Sequence, residues 1–139
     1  MRRLGIFALL AACAGEAGPT VEERLVTRRI ALGLDQAGPV AFEAAMHALE
    51  EKLEPDLKRA ALGRLDPAAA VDAALRIESL LERADLGGKP AEIGGGMGQS
   101  ARLAEPWARA AIRGDSEAAR RDARAVLDSC IECHKLYRN

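Results

Sequence analysis

The spacing of the apolar residues is the feature that most limits how this chain can fold. Along most of its length they recur at steps of three and four, which brings them to one face of an α-helix. A clear example is the series Phe42, Met46, Leu49, Leu53 and Leu57. No segment alternates apolar and polar residues as a half-buried strand would, and aromatic residues make up only 3% of the chain. The sequence therefore predicts an all-α domain.

Capping residues and prolines give the expected helix boundaries. Thr20 can cap a short first helix that runs to about Leu34, and Asp66-Pro67 has the N-cap and first-position residues of another helix. Pro55 should break or kink the helix that contains it. The four main helices are expected at about 39–61, 66–86, 100–113 and 115–138.

The glycine-rich segment 87–98 is expected to be a surface loop between helices. It contains Gly94-Gly95-Gly96-Met97-Gly98 but lacks the Lys-Ser/Thr pair and the preceding strand of a phosphate-binding loop. The next helix is expected to begin at Ser100 and to be interrupted near Pro106-Trp107. Inward-facing positions of the last helix are expected at Ala119, Ala123, Val126, Leu127, Cys130, Cys133, His134 and Tyr137.

The N-terminus has the pattern of an export signal. Met1-Arg2-Arg3 is positively charged, and Leu4–Ala12 is a short apolar stretch. The run that ends in Cys13 resembles a bacterial lipobox, which predicts a signal peptide over 1–12 and a lipid anchor on Cys13. The alternative is ordinary cleavage after a small residue, with Cys13 incidental. Either reading predicts an exported, periplasmic protein.

Charge argues against a nucleic-acid partner. The chain has 20 basic and 21 acidic residues and a net charge of −1, so there is no basic excess to bind phosphate backbones. We expect residues 13–38 to form a tether with an extra helical segment, and 39–139 to form the folded domain.

The run Cys130-Ile131-Glu132-Cys133-His134 carries the most specific chemistry. Thiols three residues apart on a helix face one side, where they can add to the two vinyl groups of haem, and the next histidine can bind the iron. A thioredoxin-like pair needs a strand–helix context, whereas this motif lies at the end of the last helix. A zinc site needs four ligands, and His47 is the only other histidine. The motif therefore predicts one covalent haem c on Cys130 and Cys133, with His134 as an axial ligand.

The position of this motif within the last ten residues resembles the cytochrome c′ family, the class II cytochromes c. The ending Val126–Arg138, the alanine-rich segment from Asp66 to Ala84 and Pro106-Trp107 are similar to the family's pattern. Glu43–Leu49 resembles its first helix, although Phe42 stands where the family has arginine. The resemblance covers roughly residues 40–139. It implies an antiparallel four-helix bundle with haem near one end.

The resemblance also makes Met46 the residue that decides the function. In low-spin, electron-transferring members the matching methionine is the sixth iron ligand. In high-spin members the same position is an apolar wall, and the open iron binds nitric oxide or carbon monoxide. His47 lies about 100° further round the helix and is expected at the surface. Met97 is a remote alternative ligand.

Three further residues are candidates for the haem surroundings. Trp107 and Tyr137 can pack on the haem or on the bundle ends, with core packing the favoured reading. Arg138 can pair with a propionate or be solvated.

The expected function is that of a periplasmic one-electron carrier, not an enzyme, whose partners are redox proteins. The alternatives are a cytochrome c′ that binds nitric oxide or carbon monoxide, and a non-haem interaction lipoprotein. Members of the family are often homodimers through their first two helices.

Overall fold

The structure is a computed structural model, and it describes residues 17–137. The predicted signal peptide over 1–12, Cys13 and Arg138 lie outside these residues. Helices dominate. In chain order the elements are α1 (Val21–Ala31), a 3₁₀ turn (Leu34–Gln36), β1 (Val40–Ala41), α2 (Phe42–Ala48), a π turn (Leu49–Leu53), α3 (Glu54–Ala61), α4 (Pro67–Arg83), β2 (Ala84–Asp85), α5 (Ala91–Arg113) and α6 (Ser116–Tyr137).

The N-terminal segment forms the expected helix α1. Thr20 caps it by accepting a hydrogen bond from the backbone N–H of Glu23 at 3.1 Å. Leu25 is fully buried where α1 packs on α5. Arg28 of α1 and Asp72 of α4 form a bidentate ion pair, in which both nitrogen–oxygen distances are 2.6 Å. The extra segment is therefore part of the folded body, which the sequence alone did not establish.

The first main helix is divided where Pro55 falls. Pro55 has no N–H to donate to the carbonyl of Glu51, and its ring crowds the preceding turn. The backbone forms the π turn Leu49–Leu53 at this point, and α3 begins after it with Pro55 in its first turn. The predicted break is confirmed, and it takes the form of a widened turn.

The end of α4 differs from its expected position. Asp66 caps α4 by accepting from Ala69 N–H at 3.2 Å, as predicted. The helix ends at Arg83 instead of 86, because Ala84 is extended and β2 pairs in parallel with β1. The expectation that no strand is present was wrong, since two-residue strands leave no alternating pattern.

The predicted loop over 87–98 was also wrong from residue 91 onward. Helix α5 begins at Ala91, includes the glycines, and continues through Pro106 to Arg113 without interruption. Glycine costs helix stability, but here it permits close packing. A β-carbon on Gly94 would lie 2.6 Å from Leu86 Cδ1.

The last helix, Ser116–Tyr137, agrees with its predicted extent. Asp115 caps α6 by accepting from Ala118 N–H at 3.1 Å. Ala123, Val126 and Leu127 are buried, as expected. Helix α5 packs against both α4 and α6, and α3 packs against α6. The largest fully buried side chains are Trp107, Leu25, Leu75, Ile77 and Val126. Within residues 17–137, no helix combines the length and apolar character that crossing a membrane requires.

Candidate functional site

A cavity of about 300 Å³ opens beside the C-terminal half of α6. Its size is at the lower end of the range for ligand sites, about 300–1,000 Å³. Its walls come from α2, the π turn and α3 to α6, and most of the lining side chains are apolar. The lining residues with ligand or aromatic chemistry are Phe42, Met46, Met97, Cys130, Cys133, His134 and Tyr137.

The two thiols lie on one side of α6 and are not joined to each other. Cys130 and Cys133 are free and partly buried. Burial raises the pKa of the Cys130 thiol, an effect opposed by its hydrogen bond with Ser100. Burial also raises the pKa of Cys133. Both groups are therefore held as neutral thiols facing an apolar space.

A small polar cluster lies beside Cys130, between α5 and α6. Ser100 is almost fully buried. Its hydroxyl donates to the Gly96 carbonyl oxygen at 3.2 Å and lies 2.7 Å from the Ser129 hydroxyl. These contacts join α5 to α6 beside the thiol. The orientation of Cys130 is therefore tied to the packing of two helices.

Cys133 is fixed by the glycine segment of α5. A β-carbon on Gly96 would lie 3.1 Å from Cys133 Sγ and 3.8 Å from its Cβ. Any residue larger than glycine would push on the thiol, because 3.1 Å is inside van der Waals contact. The helix approaches α6 this closely only because Gly96 has no side chain.

His134 is half-buried and lines the same cavity. Among residues 17–137, no side chain or backbone group makes a hydrogen bond or ion pair with its imidazole. A histidine ligand needs one nitrogen free for the metal. The ring therefore has a nitrogen available to a group that occupies the cavity.

Two methionines line the cavity from different helices. Met46 of α2 is half-buried, and Met97 of α5 is 5% exposed. The sequence identified Met46 but gave Met97 little weight, since it was assigned to a loop. The helical series Ile93, Met97 and Ala101 was the signal that would have identified it.

The other candidates are divided between this cavity and the rest of the fold. Tyr137 lines the cavity and is 41% exposed. Trp107 is fully buried and lines a second cavity, of about 260 Å³, instead. Its position matches the core-packing reading. His47 is on the surface, as expected, with Nε2 3.1 Å from Glu51 Oε2.

Charged side chains reach the cavity at two places. Glu50 and Glu54 line it from the π turn and α3, and Glu54 pairs with Lys58 at 2.6 Å. Lys89 lines it from just before α5, and its Nζ lies 5.0 Å from the centre of the Phe42 ring. These charged residues were not predicted to belong to the site, because no sequence motif contains them.

The Lys89 ammonium also contacts an acidic side chain. Its Nζ lies 3.4 Å from Glu43 Oε1. The pKa of Glu43 is lowered, first by a hydrogen bond from its own backbone N–H and then by Lys89. Lys89 is therefore in contact with both an aromatic face and a carboxylate.

The donor set fits a haem bound through its edge and its iron. Two thiols, one imidazole and two thioethers face a largely apolar cavity, which suits a flat apolar macrocycle with axial ligands. Within the described residues, no group of three or more His, Cys, Asp or Glu side chains is arranged to hold a metal ion. An iron in a macrocycle takes only its axial ligands from the protein.

Comparison with known proteins gives no family for this chain: no protein-family model matches it, and no curated protein or solved structure matches it significantly. The functional argument therefore depends on the residues of the site.

Proposed function

We propose that this protein is an exported c-type cytochrome that carries one electron. Haem c is covalently bound through Cys130 and Cys133, and His134 is an axial ligand. The observation that carries the proposal is that both thiols and the imidazole of the C-x-x-C-H run face one apolar cavity, which Met46 also lines. The spacing of the motif and the shape of the site thus point to the same ligand.

The proposed architecture is an antiparallel four-helix bundle, formed by α2–α3, α4, α5 and α6, with haem near one end. The pairs α3–α6, α4–α5 and α5–α6 are in contact. Five residues separate α3 from α4, and two separate α5 from α6. Connections this short favour antiparallel neighbours.

Bound haem supplies a one-electron iron couple, and the side chains of the cavity tune it. A thioether ligand favours ferrous iron and raises the potential. The apolar lining restricts water, while Cys130 and Cys133 hold the macrocycle edge next to α6. Such a carrier makes and breaks no substrate bonds, so we propose no enzymatic activity.

The proposed location and partners follow from the sequence. The charged and apolar N-terminal residues support export to the periplasm, where Cys13 would carry the lipid anchor. The partners are then exported or membrane-bound redox proteins.

The direct test is to export the full chain in a host that attaches haem c, and then to purify it. We expect the mass to rise by one covalently bound haem and this increase to disappear in the Cys130→Ser, Cys133→Ser double variant. Oxidised and reduced absorption spectra should be low-spin and unchanged by carbon monoxide. Absence of covalent haem would refute the cytochrome reading.

The two methionines allow a matched test of the second ligand. Met46→Leu should convert the spectrum to high-spin and make it respond to carbon monoxide, while Met97→Leu should leave it low-spin. Both changes keep an apolar side chain of similar volume, so neither should unfold the protein. The reverse result would identify Met97 as the ligand. A wild-type spectrum that is already high-spin and responds to carbon monoxide would support gas binding instead.

A further inference from the structure

We propose that Lys89 binds the carboxylate edge of the haem and raises its reduction potential. This inference rests on the proposed function, and it gives a role to a residue outside the haem-attachment motif. Haem carries two propionate groups, which are anionic at neutral pH and are stabilised by cationic partners where they lie against a protein.

The cavity offers few cations for this purpose. Among the described residues that line it, Lys89 and His134 are the only basic side chains. The imidazole of His134 is assigned to the iron. Among the described lining residues, the ammonium of Lys89 is therefore the cationic group left for an anionic edge.

The position of Lys89 suits that edge. The propionates of haem are on the side of the ring away from the vinyl groups, so they point away from the thiols that bind the vinyls. Gly96 contacts Cys133, and α5 begins five residues earlier, at Ala91. At 1.5 Å per residue this is about 8 Å. Lys89 precedes Ala91 in the chain and lines the cavity from that end of α5.

The acidic residue Glu54 does not compete for this position. Glu54 is close enough to Cys130 to contribute to raising the pKa of that thiol, and it is paired with Lys58 at 2.6 Å. Glu54 is therefore on the thiol side.

Local contacts keep Lys89 available. The Phe42 ring lies under its ammonium at 5.0 Å, a cation–π contact that holds the side chain at the cavity. Its present carboxylate partner, Glu43, is 78% exposed. An exposed pair of this kind is weak because water and salt screen it. Lys89 can therefore pair with a carboxylate inside the cavity mouth without losing a strong interaction.

The test measures the midpoint potential of the haem-loaded full chain at low ionic strength. Removing a positive charge near the iron disfavours the added electron, so Lys89→Met should lower the potential. We expect the ratio of reduced to oxidised protein at a fixed applied potential to fall threefold to tenfold, where tenfold corresponds to 59 mV for one electron. Lys89→Arg should restore the wild-type value. In 1 M salt the difference should shrink, because the screening length falls to about 3 Å.

Lys52→Met is the matched control. Lys52 is exposed on the π turn and does not line the cavity, so losing its charge should change the potential much less. A Lys89→Met protein with full haem and a wild-type potential, or one shifted no more than Lys52→Met, would overturn the inference alone. A wild-type chain without covalent haem would overturn the proposed function together with it. If Lys89→Met lowers haem loading, Lys89→Arg must restore it; failure to do so would also overturn the inference.

Discussion

The contact between Gly96 and Cys133 predicts opposite effects for two neighbouring alanine substitutions. Both Gly95 and Gly96 are inside α5, and replacing glycine by alanine within a helix stabilises it by about 1 kcal/mol. A β-carbon at residue 95 meets nothing within 4 Å, whereas one at residue 96 meets Cys133 Sγ at 3.1 Å. Gly95→Ala should therefore stabilise the protein by about 0.5–1 kcal/mol.

Gly96→Ala gains the same helix propensity but must push α6 or the thiol away. Overpacking of this kind costs about 1–3 kcal/mol, so the net effect should be about 0–2 kcal/mol of destabilisation. The two variants should differ by about 1–3 kcal/mol in the free energy of unfolding, measured by urea titration. Because the displaced atom is Cys133 Sγ, Gly96→Ala should also yield more chains whose haem is attached by one bond only, as read by mass spectrometry after proteolysis. Equal stability of the two variants, with complete attachment in both, would refute the reasoning.

Three further substitutions probe the helix contacts and the core. Burial raises the pKa of Glu78, and this outweighs the opposing effect of Arg29 at 3.2 Å. The folded state therefore loses stability as pH rises through that raised pKa. Glu78→Gln should be stabilising by less than about 1 kcal/mol at pH 7 and neutral near pH 4 in thermal melts. Trp107→Phe should lower the melting temperature by several degrees. It should leave the spectrum of the proposed haem unchanged, since Trp107 is fully buried and does not line the cavity that contains Cys130 and Cys133; an altered spectrum would contradict this. Arg28→Ala should lower the melting temperature slightly at low salt, through loss of the pair with Asp72, and have no effect in 1 M salt.

Helix starts were predictable wherever a side chain supplies the missing backbone partner. Thr20, Asp66 and Asp115 each accept a hydrogen bond from a backbone N–H three residues ahead, and the sequence identifies Thr20 and Asp66. The start of α5 was not predictable in this way, because Pro90 caps it without a side-chain hydrogen bond. The four glycines that follow it within the first turns also have low intrinsic helix propensity.

Apart from Met46, the site residues that the sequence identified share one helix. Cys130, Cys133 and His134 are adjacent in the chain, so a spacing rule places them on one face of α6. Met97 and Lys89 reach the same cavity from another element. Their positions at the cavity depend on the packing of α5 against α6, which no local sequence pattern encodes.

The mistaken loop and the incomplete site have one cause. Once residue 91 begins a helix, Ile93, Met97 and Ser100 fall at steps of four and three, and all three line the cavity. That face of α5 faces α6 closely because Gly96 gives Cys133 room. The glycines that argue against a helix in isolation are the residues that let this helix form a wall of the site. Tertiary contact thus decides both the secondary structure of the segment and its contribution to the cavity.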